Sequence, residues 1–351
     1  MQKVTVTAEH SYDVLIDIPW SKALVSELSS YSRAAVIVSK NMRNRIAELP
    51  SMECEVHYFE IPDGEEGKSS KTLLQVWDWL GAAGFTRSDV IVGIGGGSTT
   101  DFAGYAAASW LRGLDWIAIP TTLAGMVDAA IGGKTAINSD YGKNLIGAFH
   151  SPKQVIIDLE WLSTLTDRDY SAGLAEVVKT GFISDPKIIQ ILDGRSILDI
   201  RSDRLVVNEL ITRSVEVKAR VVSEDFKESF AREALNYGHT LGHAIELDSK
   251  FSLRHGECVS IGMVFIASLQ KRLGTMSEDI YQGHLRILTN LGLPIKYSLS
   301  AWPKLMATMS LDKKSRGKAI RFVTLDGIGK TSRLENPDEA LLAEIYAEVS
   351  S

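Results

Sequence analysis

The sequence has little cysteine, no long apolar run and no excess of positive charge, and each shortage removes a class of protein. Its two cysteines, Cys54 and Cys258, are too few and too far apart to suggest a disulfide scaffold. That usage fits a reducing compartment, so a cytoplasmic location is expected. No stretch approaches the roughly 20 apolar residues that span a bilayer, and no membrane partner is expected. The start, MQKVTVTAEHSYDV, lacks a basic region followed by an apolar run, so no signal peptide is expected. Acidic residues number 44 against 38 Lys and Arg, a net charge of −6 with histidine neutral. A nucleic-acid partner needs a basic surface to neutralise phosphates, so none is expected. A local cationic pocket for a small anion stays open. Repeats, low-complexity tracts and long charge runs are missing from the sequence as well.

What is present is an ordinary globular composition, 45% hydrophobic and 23% charged. At 351 residues the chain exceeds what one small core usually holds, so two domains are expected. Short β-branched runs at Ala34–Val38, Val56–Ile61, Val90–Ile94, Trp116–Ile119 and Val155–Asp158 alternate with helical patterns such as Lys71–Ala83 and Phe102–Leu111. Continuous apolar strands alternating with helices predict a mostly parallel sheet covered on both faces. After about Ser163 the strand signal fades. Arg168–Ile183, Leu205–Val222, Tyr237–Glu246, Val259–Leu273, Ser277–Leu291 and Glu339–Val349 read as helices. The expectation is an α/β domain over 1–165 and a helical domain over 166–351.

Residues 89–101, DVIVGIGGGSTTD, run an apolar strand into Gly95, Gly96 and Gly97 and then into a helix. Three glycines let backbone N–H groups approach an anion without Cβ obstruction, and the helix N-terminus adds a positive dipole. The pattern is neither G-x-G-x-x-G nor a Walker loop. A plain turn capped by Thr100 or Asp101 would read the same way. Two further turns, Asp63-Gly64-Glu65-Glu66-Gly67-Lys68 and Thr121-Thr122, also follow predicted strands. Ligands bind at the carboxyl ends of strands in open α/β sheets, so the three turns together favour a dinucleotide.

Gly132-Gly133-Lys134-Thr135 and Gly142-Lys143-Asn144 form a segment dense in glycine and lysine that can wrap a phosphate; a hairpin with solvated lysines is the alternative. Asp128 is a charge in a small, apolar run, either a cap or a buried functional carboxylate. Further on, NYGHTLGHAIE at 236–246 sets His239 and His243 four apart on one helical face, and His255 heads the next helix. Three of the seven histidines fall in this span. Glu176 lies in an otherwise apolar helix, with Lys179 three residues on and on the same face. A carboxylate and two imidazoles with one open position make a catalytic zinc arrangement. H-x-x-x-H without the intervening glutamate is not the metalloprotease motif, which leaves open which of His239 and His243 is a ligand. Cys258 reads as a buried, inert thiol.

Taken in order, GGG…D at 95–101, LRG at 111–113, PTT at 120–122, VD at 127–128, GGKT at 132–135, GKNLIG at 142–147, GLAEV at 173–177, LNYGHTLGHA at 235–244, HGE at 255–257 and DKK at 312–314 resemble the 3-dehydroquinate synthases, within the sugar-phosphate cyclases. The resemblance spans roughly residues 60 to 330. It implies an α/β N-terminal, Rossmann-like nucleotide-binding domain and an all-α C-terminal metal-binding domain. It implies a homodimeric carbon–oxygen lyase of the shikimate pathway, in aromatic amino-acid biosynthesis. The implied sugar-phosphate substrate is 3-deoxy-D-arabino-heptulosonate 7-phosphate, converted to 3-dehydroquinate and phosphate. NAD and one divalent metal, zinc or cobalt, are the implied cofactors. The implied course is transient oxidation by NAD, β-elimination of phosphate, re-reduction, ring opening and intramolecular aldol closure, so NAD returns unchanged.

By the same resemblance the metal ligands are Glu176, His239 and His255. Asp128, Lys134, Lys179, Glu228 and His243 are the implied catalytic residues. Substrate contacts fall to Arg112, offered across the dimer interface, and to Lys134, Asn144, Lys179, Lys218, Arg232, Asn236, His243 and one of Lys313 and Lys314. NAD contacts fall to Asp63, Gly64, Glu65, Glu66, Gly67 and Lys68, to Gly95, Gly96, Gly97, Ser98, Thr99, Thr100 and Asp101, and to Thr121, Thr122, Lys134, Lys143, Trp161, Leu162, Ser163 and Thr164. Two departures stand out. Ser98-Thr99-Thr100 stands where the family commonly carries small apolar residues and a glycine, and Phe226 stands where the family usually carries a second acid. Another sugar-phosphate cyclase and a metal-dependent polyol dehydrogenase are the nearest alternatives, with a non-catalytic nucleotide-binding protein behind them. Lys218, Arg232, Asn236 and His243 favour a substrate with a carboxylate, and a polyol dehydrogenase has no need of so many cations around one anion.

Overall fold

The structure, a computed structural model, describes all residues except 47–48, 51, 227–230 and 317–319, and the side chains of 231 and 311–316. Two compact units divide the chain: Met1–Leu165 with Lys218–Lys227, and Thr166–Val217 with Glu228–Ser351. The strands of the first unit are β1 (Gln2–Thr7), β2 (Ser11–Ile16), β3 (Arg33–Ser39), β4 (Glu55–Ile61), β5 (Val90–Gly95), β6 (Asp115–Pro120), β7 (Lys134–Ser139), β8 (Gly142–Phe149) and β9 (Gln154–Ile157). Seven of them form one sheet in the order β1-β2-β9-β6-β5-β3-β4. All neighbours are parallel except β1 on β2. Every residue of β5 is buried, as its unbroken apolar run requires of a central parallel strand. Because β4 and β5 lie on opposite sides of β3, the winding reverses at β3, and the carboxyl ends of β3 and β5 flank the position where open α/β sheets bind ligands.

Two features of this unit, new strands at its start and a hairpin the sequence offered only as an alternative, complete its architecture. The edge strand β1 and its neighbour β2 have one buried face, which holds Val6, Tyr12, Val14 and Ile16, while Thr, Lys and Asp punctuate the other and hide the strand signal. The lysine-rich segment is an antiparallel hairpin, β7 on β8. Its buried Thr135, Ala136 and Ile137 sit over the helix Gly97–Ser109. That helix is pressed between β5 and the hairpin. A Cβ at Gly93 would stand 2.6 Å from Ala103 Cβ, and one at Gly104 2.4 Å from Thr135 Cγ2.

The second unit is helical, with one hairpin of β10 (Arg321–Gly327) on β11 (Lys330–Glu335). Its central helix is His255–Arg272, buried at every residue from Gly256 to Gln270, as an all-round apolar sequence predicts. Two glycines bring neighbouring helices against its backbone. At Gly256 a Cβ would lie 1.8 Å from Ala172 O, in the helix Asp167–Ile183. At Gly262 it would lie 1.9 Å from Gly238 O, just before the helix His239–Asp248. Gly238 itself sits at φ +77°, which a side chain would strain. Among the described residues no helix is long and apolar enough to cross a membrane.

Gly256→Ala is therefore expected to lower stability by about 3 kcal/mol, because a backbone carbonyl cannot step aside as a side chain can. Gly283→Ala, in a helix position with nothing within 4 Å, is the control and should be neutral or mildly stabilising. Urea midpoints of the two variants check the contrast.

Candidate functional site

In the first unit the expected nucleotide turns lie at the carboxyl ends of β4, β5 and β6. The helix Gly97–Ser109 starts at Gly96 with no side-chain cap, so Thr100 and Asp101 do not cap it. Thr100 Oγ1 instead donates to Gly97 O at 3.0 Å, and Thr99 packs on Gly95, whose Cβ would meet Thr99 Oγ1 at 2.5 Å. Both threonines are buried, so within Ser98-Thr99-Thr100 only Ser98 keeps a partly exposed hydroxyl. Gly97 meets Ala129, where a Cβ would come within 2.9 Å. Packing alone thus demands glycine at 95 and 97, and the bare helix terminus remains as a place for an anion. Thr121 N donates to Gly95 O at 2.8 Å, and Thr122 Oγ1 accepts from Gly125 N at 3.2 Å, which ties the second turn to the first.

The turn Gly64–Gly67 is stitched to the β7–β8 hairpin. Lys68 is 2% exposed, and its Nζ donates to Asp101 Oδ2 at 2.8 Å and Asn144 Oδ1 at 2.5 Å. Asn138 joins in, donating from N to Lys68 O at 2.7 Å and from Nδ2 to Glu65 Oε2 at 2.7 Å. Lys143 Nζ lies 3.5 Å from Glu65 Oε1. Burial pushes the Asp101 carboxyl up, with Lys68 opposing it. Asn144, at φ 56°, accepts from Lys68 while its N donates to Asn138 Oδ1 at 3.1 Å. Lys134 is exposed at the start of β7.

Asp128 sits in the turn Gly125–Ala129, and its Oδ1 takes the Lys218 Nζ at 2.5 Å. Phe226, half-buried, packs on the exposed Phe149 of β8, ring centres 5.4 Å apart. Trp161 is buried against Trp20, and its Nε1 has no hydrogen-bond partner. Leu162 is buried, while Ser163 Oγ and Thr164 Oγ1 donate to Glu160 O and Trp161 O, both at 2.7 Å. Leu111, Arg112 and Gly113 have φ of 48°, 68° and 123°, a strained exposed corner tied to the end of β8 by His150 Nε2 and Leu114 O at 2.7 Å. The sequence reading missed Ser39–Asn41, which leaves β3 at the winding reversal. Ser39 caps the short helix there, and Asn41 N donates to Asp63 Oδ1 at 3.4 Å.

The second unit gathers Glu176, His239 and His255. Glu176 is 1% exposed. Its Oε2 accepts from Lys179 one turn on. Its Oε1 lies 3.7 Å from His239 Nε2 and 3.3 Å from His255 Nε2, yet makes no hydrogen bond of good geometry. Two ligands of a tetrahedral zinc, each about 2.1 Å from the ion, stand about 3.4 Å apart, so this spacing fits a metal. The other ring nitrogens are engaged. His239 Nδ1 faces Tyr237 O at 3.0 Å and His255 Nδ1 faces Glu246 Oε2 at 3.3 Å. His243 is exposed, and its ligating nitrogen lies within 4.8 Å of those of His239 and His255. Glu246 also escaped the sequence reading, although His239, His243 and Glu246 at i, i+4 and i+7 share one helical face. Arg232 is buried and Asn236 half-buried on the turn Ala231–Asn236. Glu228 lies outside the described residues, as do the side chains of Lys313 and Lys314.

Charge explains the protonation of this cluster. Burial opposes ionisation of Glu176, but Lys179 and the imidazoles hold its carboxyl well below the ordinary range. Burial, with Lys179 nearby, pushes His239 well below its ordinary value, so it is a neutral donor. Burial also disfavours the charged form of His255, but Glu176 and Glu246 outweigh it and raise its pKa to about 10.

Known proteins share this arrangement of strands and helices. ValA, a 2-epi-5-epi-valiolone synthase from Streptomyces hygroscopicus subsp. jinggangensis solved with NAD+ and Zn2+, has a TM-score of 0.90 at 26% identity, over 99% of both chains. A 2-deoxy-scyllo-inosose synthase solved with carbaglucose-6-phosphate, NAD+ and Co2+ has a TM-score of 0.88 at 26% identity, over 99% of this chain and 100% of the other. The class is therefore that of the dehydroquinate-synthase-like enzymes, an α/β unit joined to a helical one. Residues 58–172 match the 3-dehydroquinate synthase N-terminal family and residues 173–315 the 3-dehydroquinate synthase C-terminal family. The 3-dehydroquinate synthase of Thermobifida fusca is 51% identical over 349 residues, 97% of this chain and 94% of that one. That of Streptomyces avermitilis is 50% identical over 307 residues, 86% and 84% of the two chains. The chain belongs to the 3-dehydroquinate synthase family.

The raised value of His255 has a sign that can be measured. A proton held more tightly in the folded state stabilises it fully below the ordinary 6.5, and that contribution is lost as pH rises towards 10. Chelator-treated protein should therefore melt at lower temperature as pH climbs across that window. His255→Gln should flatten the slope; an equally steep slope in the variant would assign it to another group.

Proposed function

We propose that this chain converts 3-deoxy-D-arabino-heptulosonate 7-phosphate to 3-dehydroquinate and phosphate, with NAD and one divalent metal, zinc or cobalt. The family supports the reaction, and one observation carries the site: a buried Glu176 oxygen without a hydrogen-bond partner, faced by two imidazole Nε2 atoms. Glu176, His239 and His255 would hold the metal. The bare terminus at Gly96–Ser98, the turns at Asp63–Lys68 and Thr121-Thr122, Lys143 and the backbone of Trp161–Thr164 would hold NAD, joined by Ser39–Asn41 at the end of β3. Bound NAD supplies a hydride acceptor and donor, and a bound metal supplies a Lewis acid for the oxygens of the reacting alcohol.

The residues of the chain have to bind and orient one polyanion through several steps. Phosphate and carboxylate call for several cationic and amide donors, the roles we give Lys134, Asn144, Lys179, Lys218, Arg232, Asn236 and one of Lys313 and Lys314. Two of these cations are oriented by acids: Lys179 by Glu176 and Lys218 by Asp128. His243, exposed beside the two inner imidazoles, can pass a proton to substrate oxygen. Glu228 has the role of a further acid–base group. Lysines around the substrate phosphate hold it where it can take the proton whose loss expels it.

Purified protein should release phosphate from the heptulosonate 7-phosphate only with metal and NAD present, with no rise in NADH absorbance. Glu176→Gln should abolish both metal retention and turnover. Net NADH formation would instead mark a dehydrogenase, and phosphate release confined to heptulose phosphates without a carboxylate would mark another cyclase.

The homodimer belongs to the same reading. Tyr141, Leu145, Ile146 and Phe149 on the hairpin and Leu111, next in sequence to Arg112, are exposed apolar side chains that a second subunit would cover. If Arg112 serves the neighbouring subunit, Arg112→Ala and Glu176→Gln proteins, each inactive, should regain about a quarter of normal activity when unfolded and refolded together, since half the dimers are mixed and each has one intact site. No recovery would remove Arg112 from the shared site.

A further inference from the structure

Glu176 splits its two oxygens between Lys179 and the imidazoles. Lys179 is 2% exposed, so its charge is cancelled by Glu176 with little help from water. A carboxylate already matched by an ammonium, together with imidazoles that can ligate a metal only once they are neutral, leaves the ligand set with no net negative charge for a dication. The structure supplies a second carboxylate one residue further out. Glu246 is buried, on the same helix as His239 and His243, and its Oε2 lies 3.3 Å from His255 Nδ1. The two inner imidazoles are thereby held differently. A backbone carbonyl, Tyr237 O, takes His239 Nδ1, whereas a charged side chain takes His255 Nδ1.

We propose that Glu246 is the positioning residue of the metal site: it fixes the His255 ring with Nε2 turned to the metal and returns the negative charge that Lys179 removes from Glu176. The proposal rests on the reading of Glu176, His239 and His255 as metal ligands. A carboxylate behind a ligating imidazole fixes its tautomer and raises its basicity, and losing such a partner weakens metal binding by about 10- to 100-fold. A carbonyl can do the first of these but carries no charge, so the His255 side of the site is the one that a charge-removing substitution can reach.

The test uses the full-length protein stripped of metal, with zinc affinity read by competition against a chromophoric chelator. Glu246→Gln keeps an acceptor and removes the charge, and should weaken zinc binding about tenfold; Glu246→Ala removes both, and should weaken it about a hundredfold. The visible spectrum of the cobalt-loaded protein should shift in the Ala variant, where the ring loses its brace. Equal zinc affinity in wild type and both variants would overturn the proposal. So would a lowered melting temperature of metal-free Glu246→Gln with unchanged affinity of its folded fraction, since that is a structural role only. If wild-type protein itself retains no zinc, the metal reading fails first, and that outcome is distinct because it appears before any substitution.

Discussion

A carboxylate buried to 1% exposure is the constraint around which the second unit is built. An ionised Glu176 taken out of water is unfavourable by several kcal/mol unless charge and hydrogen bonds compensate it. Lys179 compensates one oxygen from the next turn of the same helix, which the sequence can arrange locally. The other oxygen needs partners from two other helices, and bringing those close is a matter of backbone. Helices at ordinary separations of about 8–10 Å keep side chains between their axes. Here Ala172 O meets Gly256 and Gly238 O meets Gly262 with nothing between, so the imidazoles of His239 and His255 can both reach one carboxylate oxygen. The glycines in the motifs around these histidines therefore act in assembly, while the histidines and the glutamate are the groups to which we assign the chemistry.

The first unit solves a related problem with different means. Lys68, Asp101 and Asn144 come from a turn, a helix and a hairpin, and one buried ammonium joins all three. The acid–cation pair Asp128–Lys218 repeats the device. Cations crowded without acids would repel one another, so pairing each with a carboxylate holds it oriented. This is also why a net charge of −6 is compatible with the polyanion site we propose. Local arrangement, not overall balance, sets the potential a small ligand meets.

Much of this was legible in the sequence. The central parallel strands declared themselves because β3, β5, β6 and β9 are unbroken apolar runs, and the long helices because their apolar positions recur with helical period. The spacing of His239, His243 and His255 and the lone Glu176 pointed to the metal chemistry. What was not legible depends on contacts distant in the chain. The β7–β8 hairpin reads as polar because Asn138, Lys143 and Asn144 engage one another, Glu65 and Lys68. Lys68 reads as a surface cation until Asp101 and Asn144 close over it. Glu246 was visible at i+7 from His239, but nothing local says that a histidine from the next helix will lie against it. Phe226 looked like a departure from the family, and its ring partner Phe149 lies in a hairpin that the sequence offered only as an alternative.

Gly256 and Gly262 lie six residues apart on one buried helix, about 9 Å along its axis at 1.5 Å per residue. That interval is the distance at which the helices carrying Glu176 and His239 must meet it. Substitution by residues of similar volume leaves such an interval untouched, whereas a single insertion or deletion within it rotates one glycine by about 100° away from its partner carbonyl. The segment between these two glycines therefore works as a gauge block for the active site. Over evolutionary time its letters are open to exchange, and its length is not.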